Sequence, residues 1–283
     1  LLVWLVQSYE ERFGAKERLA KLAWQVMAMD STVIDIAGRL HRWFYSSGRK
    51  SVRSAAQAKL HVLYNADLGL PVEAAISRGS SHDVRWARKL LRKLTGPTMM
   101  LFDRGYWDHG LFTWLITKKH AFVTRLKKVA KYRRIKKLGN GDWLVRFDRS
   151  KRTAIPYDLR LVRHKTISGE VIYFVTCLTD PESFSVEHIA AFYVRRWQIE
   201  IFFRDLKHVL KLHRVHSKTA GGIRCEIYAA LCAYVLVKYL RAEAALKLEV
   251  PAEDLVFKRT LDILRVWMGN DIKRLYRAPA AQA

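Results

Sequence analysis

The segment YVRRWQIEIFFRDLK, Tyr193 to Lys207, limits the fold more than any other stretch, because it sets one carboxylate inside a helical row of cations. At about 100° per residue, Tyr193, Arg196, Glu200 and Lys207 fall at roughly 0°, 300°, 340° and 320°, a stripe about 60° wide. Arg204 falls at roughly 20°, on the stripe's edge. At 1.5 Å per residue the row runs about 21 Å along the axis. Charges three, four or seven apart also occur on ordinary solvated helix faces. The spacing alone therefore leaves two readings, a solvated face or a site.

Two further acids occupy unusual places. Asp30 lies within the apolar, β-branched segment VMAMDSTVIDIAG, and Asp103 ends the apolar run of GPTMMLFDRGYWDHG. An acid in an apolar strand costs several kcal/mol of desolvation unless it is paired or binds a metal. Carboxylates without nearby His or Cys make a hard-oxygen site, suited to Mg²⁺ or Mn²⁺ and not to Zn²⁺. Two such ions about 3.5–4 Å apart can activate a nucleophile and stabilise the leaving oxygen of a phosphodiester. On pattern alone, metal-assisted phosphoryl transfer competes with a basic DNA-binding module carrying incidental acids.

The charge balance names the partner class. The chain has 283 residues, 51 Lys and Arg against 26 Asp and Glu, and a net charge of +25. Such an excess points to a polyanion, most often nucleic acid. Arg125 to Lys165 alone hold 15 Lys and Arg against Asp142, Asp148 and Asp158, close to half of the net charge. Strand-like alternation in WLVRF, LRLVR and VIYFVTCL, with turns at GNGD and Ser168-Gly169, predicts a β-rich basic insertion over 121–182. Helical segments are expected over 1–24 and 241–283, with a core over 25–120 and 183–240. Within that core, VMAMDSTVIDIAG and the runs either side of NADLG predict adjacent antiparallel strands. SSHDVRWARKLLRKL predicts a helix capped by Ser81 or Asp83, and PESFSVEHI a long helix capped by Ser183 or Ser185. The eleven-residue apolar run Ile227 to Val237 is too short to span a bilayer and reads as a buried helix, so no membrane partner is expected. Cys177, Cys225 and Cys232 form no CxxC pair, which fits a reducing compartment and no structural zinc.

These motifs resemble those of the IS4-type DDE transposases, whose core is RNase H-like. That family carries Y-x2-R-x3-E-x6-K on the helix of its third acid, and Tyr193, Arg196, Glu200 and Lys207 match every position and spacing. Asp103 stands in the family's D-R-G-Y strand end, and Asp30 in its D-S-T strand. The likeness covers roughly residues 25–240 and includes a β-rich insertion between the second and third acids. It implies an α/β fold: an RNase H-like mixed sheet flanked by helices, with the insertion before the last catalytic helix. It implies that Asp30, Asp103 and Glu200 are catalytic metal ligands, for Mg²⁺ with Mn²⁺ able to substitute, as two ions. It further implies that Tyr193, Arg196 and Lys207 contact DNA, Lys207 nearest the reacting strand.

The implied function is cut-and-paste transposition of an insertion sequence: metal-dependent cleavage of double-stranded DNA at transposon ends, then strand transfer into target DNA. A homodimer in the synaptic complex and a bacterial cytoplasmic, nucleoid-associated location go with it. The alternatives are a decayed or repurposed DNA-binding protein derived from such an enzyme, and a general RNase H-like nuclease. Only 29 residues precede Asp30, so the end-recognition domain usual before such cores is expected to be trimmed or decayed. Turn or surface roles are expected for Asp35 and Asp108, and core packing for Trp143; His61, His82 and Asp83 could support the acids from behind, with structural roles the favoured reading. Arg104 and Tyr106 adjoin Asp103 and are candidates to touch DNA.

Overall fold

The computed structural model describes residues 1–17, 24–36, 56–94, 96–148 and 155–275. Its centre is a nine-stranded sheet of order β3-β2-β1-β4-β5-β9-β8-β7-β6. The first five strands are β1 (Gln25–Asp35), β2 (Gln57–Asn65), β3 (Leu70–Arg78), β4 (Thr98–Phe102) and β5 (Ala121–Arg125). β1, β2 and β3 form an antiparallel meander, whereas β4 runs parallel to β1 and β5 parallel to β4. Gly69, at a φ of +69°, closes the β2–β3 turn in a conformation that L side chains resist.

β6 (Tyr132–Gly139), β7 (Asp142–Phe147), β8 (Leu159–Lys165) and β9 (Val171–Thr176) are antiparallel throughout. β9 returns along the free edge of β5, pairing Val123 with Thr176 and Arg125 with Phe174. The basic segment thus extends the main sheet, and β5 at its start lies beside β4. A strand laid on β5 satisfies the backbone groups that an open edge would leave unpaired. The sequence marks the change in charge at this point, but charge carries no record of which strand pairs with which.

Helices cover both faces. Strand alternation sends Val26 and Ala28 of β1, with Met99 and Leu101 of β4, into one core; it sends Met27, Met29, Met100 and Phe102 into the other. The first core is closed by α4 (Val186–Val194), α5 (Trp197–Arg204), α6 (Ala220–Leu248) and α7 (Phe257–Leu275), the second by α2 (Asp83–Leu91) and α3 (His109–Thr117). A third cluster joins α1 (Leu2–Glu17) to α6 through Leu5, Tyr9, Phe13 and Val235.

Helix boundaries differ in detail from the sequence expectation. The N-cap of α2 is His82, not Ser81 or Asp83, and the carboxylate of Asp83 accepts from Ser31. Ser185 caps α4 in a reciprocal box with His188. The run Ile227 to Val237 lies inside α6, a 29-residue helix that is long and apolar enough to cross a bilayer by length and composition. Here its residues Ile223, Ile227, Leu231, Tyr234 and Val237 pack into the main core.

A buried ion pair ties the basic strands to the helices. Arg160 of β8 has no exposed surface; its Nε lies 2.9 Å and its Nη2 2.6 Å from the carboxylate of Asp142 on β7. Its Nη1 donates to the carbonyls of Phe184, Asp180 and Leu178, in the loop that enters α4. Removing one partner of such a pair leaves an uncompensated buried charge. Arg160→Met is expected to destabilise the protein by about 3–5 kcal/mol in urea unfolding. The double variant Asp142→Leu/Arg160→Met is expected to be more stable than that single variant. A double variant less stable than Arg160→Met would show that the carboxylate is not what the guanidinium compensates.

Candidate active site

Pleating decides which side chains meet. Asp30 continues the side of β1 set by Val26 and Ala28, and Asp103 continues the side of β4 set by Met99 and Leu101. Because Ala28 is in register with Leu101, the next pair on that face is Asp30 with Asp103. β4 ends at Phe102, and the Asp103 carboxylate accepts the Gly105 N–H at 2.9 Å, opening the short 3₁₀ turn Arg104–Tyr106. β1 continues past this point, paired with β2 and, at Asp35, bridged to Arg214. Two carboxylates therefore stand side by side where one strand stops and its neighbour goes on.

α5 packs against β1 on this face and brings Glu200. The Asp30 carboxyl is pushed up to about 7, chiefly by burial. The Ser31 N–H and Arg196 oppose that rise, while Asp103 and Glu200 add to it. All three acids thus act on one locus. They do not form a closed coordination shell as folded: among the described residues, no three His, Cys, Asp or Glu side chains stand close enough to hold one ion. Glu200 is turned onto Arg196, at 2.5 Å from its Nη2. As donors, three carboxylates without imidazole or thiolate fit a hard divalent cation, and their crowding at Asp30 is what such a charge would relieve.

The row of residues on the third-acid helix is bent out of its expected line. The backbone N–H of Arg195, Arg196, Gln198 and Ile199 each bond the carbonyl three residues back. This 3₁₀ stretch joins α4 to α5 and eclipses residues three apart. Arg196 is thereby brought over the ring of Tyr193, its guanidinium carbon 5.4 Å from the centroid. Tyr193, expected on an open stripe, is buried instead against Phe174. Val194, Trp197 and Ile201 take the outward positions. Beyond α5, the single π turn Asp205–Val209 carries Lys207, which is half-buried.

The remaining candidates are scattered around this locus. Asp108 caps α3 and pairs with Arg88, while Asp35 accepts a bond from Gln57. Arg104 is exposed, but Tyr106 is buried against Phe102. Trp143 is half-buried beneath Arg134, whose guanidinium carbon lies 4.3 Å from its ring centroid. His61 has no exposed surface; its Nε2 lies 2.8 Å from the Ser77 hydroxyl and its Nδ1 3.4 Å from Asp83. Ser77, His61 and Asp83 thus have the order of a hydrolytic relay, but burial denies a substrate any approach to His61. Sequence reasoning missed one neighbour of the site, Arg125, and gave another, Asp83, a structural role. Arg125, ending β5, acts on the Tyr193 phenol, and Asp83 accepts the hydroxyl hydrogen of Ser31 at 2.7 Å. A cation ending a strand was a usable signal for Arg125; nothing local marked Ser31 as the partner of Asp83.

Residues 24–236 match the family described as the transposase DDE domain. The chain is 33% identical over 221 residues to the transposase y4zB of Sinorhizobium fredii, spanning 74% of this chain and 59% of that protein. It is 29% identical over 177 residues to the transposase InsG for insertion sequence element IS4 of Escherichia coli, spanning 59% of this chain and 40% of that protein. It thus spans about half the length of these relatives. Its fold is similar to that of the piggyBac transposase in a synaptic complex with hairpin DNA, with a TM-score of 0.54, 9% identity and coverage of 91% of this chain and 55% of that one. Sequence match, fold and the order of the three acids agree, and the chain belongs to the DDE transposase family, in its IS4-type branch.

Proposed function

We propose that this chain is the catalytic part of a cut-and-paste DNA transposase, cleaving strands at transposon ends and joining the freed 3′-OH to target DNA. The observation that carries the reading is the meeting of Asp30, Asp103 and Glu200 at one locus, where burial, with Asp103 and Glu200 adding to it, holds the Asp30 carboxyl near 7. All three acids are present, so no observation favours a decayed DNA-binding protein. The cations flanking Glu200 favour DNA-end chemistry over a general nuclease.

Asp30, Asp103 and Glu200 would hold Mg²⁺, as a pair of ions for which Mn²⁺ substitutes. Such ions activate the attacking oxygen and stabilise the leaving one. Glu200 must leave Arg196 to join the two aspartates, which frees the guanidinium for a phosphate. Tyr193 acts as the platform under Arg196, and Lys207 and Arg125 add positive charge around the reacting strand. Phosphoryl transfer depends above all on such positioning and charge neutralisation. The exposed edge strand β6, with Arg133, Arg134, Lys136 and Lys137, supplies a second basic surface for the duplex. By the same reading the protein acts as a homodimer holding two ends, in the bacterial cytoplasm at the nucleoid.

Glu200→Gln keeps the side chain's shape and removes its charge. On duplexes bearing the element's own end, nicking is expected to fall below detection at every Mg²⁺ concentration, with metal-free DNA binding unchanged or slightly tighter in gel shifts. Lys207→Ala is expected instead to weaken strand placement and leave metal binding intact. Near-wild-type nicking by Glu200→Gln would place the third ligand elsewhere.

The raised Asp30 carboxyl also makes a stability prediction. Its folded pKa of about 7 lies above the ordinary value of 3.8, so the metal-free native state holds a proton that the unfolded chain releases. That contribution is fully present at low pH and is lost as pH rises from about 4 through 7. His61, held neutral by burial down to about 4, has the opposite slope between about 4 and 6.5, so the difference between proteins is the quantity to read. At pH 8 in chelator, Asp30→Asn is expected to be more stable than wild type, by at most about 4 kcal/mol. An equal or lower stability at pH 8 would mean that Asp30 is not a strained carboxylate.

A further inference from the structure

The opposite face of the sheet at Asp30 carries a polar cluster that the proposed chemistry does not use. Ser31, the next residue on β1, points away from Glu200 and toward α2, where its hydroxyl donates to Asp83 Oδ1 at 2.7 Å. The Ser31 N–H donates to the Asp30 carboxylate, also at 2.7 Å. One residue therefore joins two carboxylates across the sheet, one through its amide and one through its hydroxyl.

Asp83 is itself fixed from three sides. Lys59 of β2 reaches it at 3.2 Å and also donates to the Ser81 carbonyl at 3.0 Å. His61, two residues along β2, faces it at 3.4 Å and is locked by Ser77 and by stacking on Trp86, with 5.3 Å between centroids. The ordinary task for an acid at a helix start is to cap it, but Asp83 is the first residue of α2 and its bonds go to Ser31 and Lys59. The Tyr106 hydroxyl lies within electrostatic reach of Asp30, Asp83 and Asp103 together, so Asp83 faces the same locus from behind.

We propose that Asp83 is a positioning residue: held by Lys59 and His61, it fixes Ser31 and through it the orientation of the Asp30 carboxylate, and so sets the affinity of the site for a divalent cation. The inference rests on the reading of Asp30 as a metal ligand. Groups that orient a ligand from behind are worth about 10- to 100-fold in metal affinity in known sites.

The test is titration of the full chain with Mn²⁺ alone, without DNA, read by the electron paramagnetic signal of the free ion, beside thermal melting in chelator. Ser31→Ala removes the link but leaves Asp83, Lys59 and His61 in place. It is expected to weaken Mn²⁺ binding by about tenfold or more with little change in melting. Asp83→Asn is expected to weaken it similarly, and Ser31→Thr, which keeps the hydroxyl, to restore it. Wild-type Mn²⁺ affinity in both Ser31→Ala and Asp83→Asn would overturn the inference and leave the cluster a packing feature of α2. Wild-type affinity in Asp30→Asn would instead overturn the metal-ligand reading beneath it.

Discussion

Everything in the site depends on two carboxylates forced into adjacency by strand register. β1 and β4 run parallel with Ala28 beside Leu101, so Asp30 and Asp103 share a face and differ only in the course of the chain beyond them. β4 ends there, whereas β1 continues, and the gap admits α5 with Glu200 and Arg196. Burial opposes ionisation here and the neighbouring acids add to that penalty, so the Asp30 carboxyl is held near 7. Arg196 eases it in part by holding Glu200. A divalent cation on the three carboxylates would ease it further and release the guanidinium toward DNA.

The proposed exchange bears on the shape of the helix that carries Glu200. An unbroken α-helix would leave Tyr193 and Glu200 on one open stripe. The 3₁₀ stretch at Arg195–Ile199 overwinds the chain, buries the phenol against Phe174 and sets Arg196 over it. The cation is thus backed by an aromatic face and a buried core, a stiffer mount than a solvated side chain. The loop before α4 is held in turn by the buried Arg160, so the basic strands and the third acid are mechanically joined.

Much of this was legible in the residues. β-branched and alternating segments marked β1, β2, β7, β8 and β9, and the three acids stood out because an acid in an apolar strand demands an explanation. The spacing from Tyr193 to Lys207 was also plain. What was hidden depends on contacts distant in sequence or on small changes of helical pitch. The burial of Tyr193 follows from i→i−3 bonding that no residue pattern announces. Asp83 lies 52 residues from its partner Ser31, so only the packing of α2 on the sheet reveals the pair. The basic segment read as an insertion by its charge, yet its strands continue the main sheet, because pairing on the free edge of β5 depends on topology and not on composition.

The most direct measurement is anomalous diffraction from a crystal of the protein soaked in Mn²⁺. The account predicts manganese peaks against the carboxylates of Asp30 and Asp103, with Glu200 turned from Arg196 toward the metal. Manganese absent from these carboxylates, with Glu200 still paired to Arg196, would contradict it.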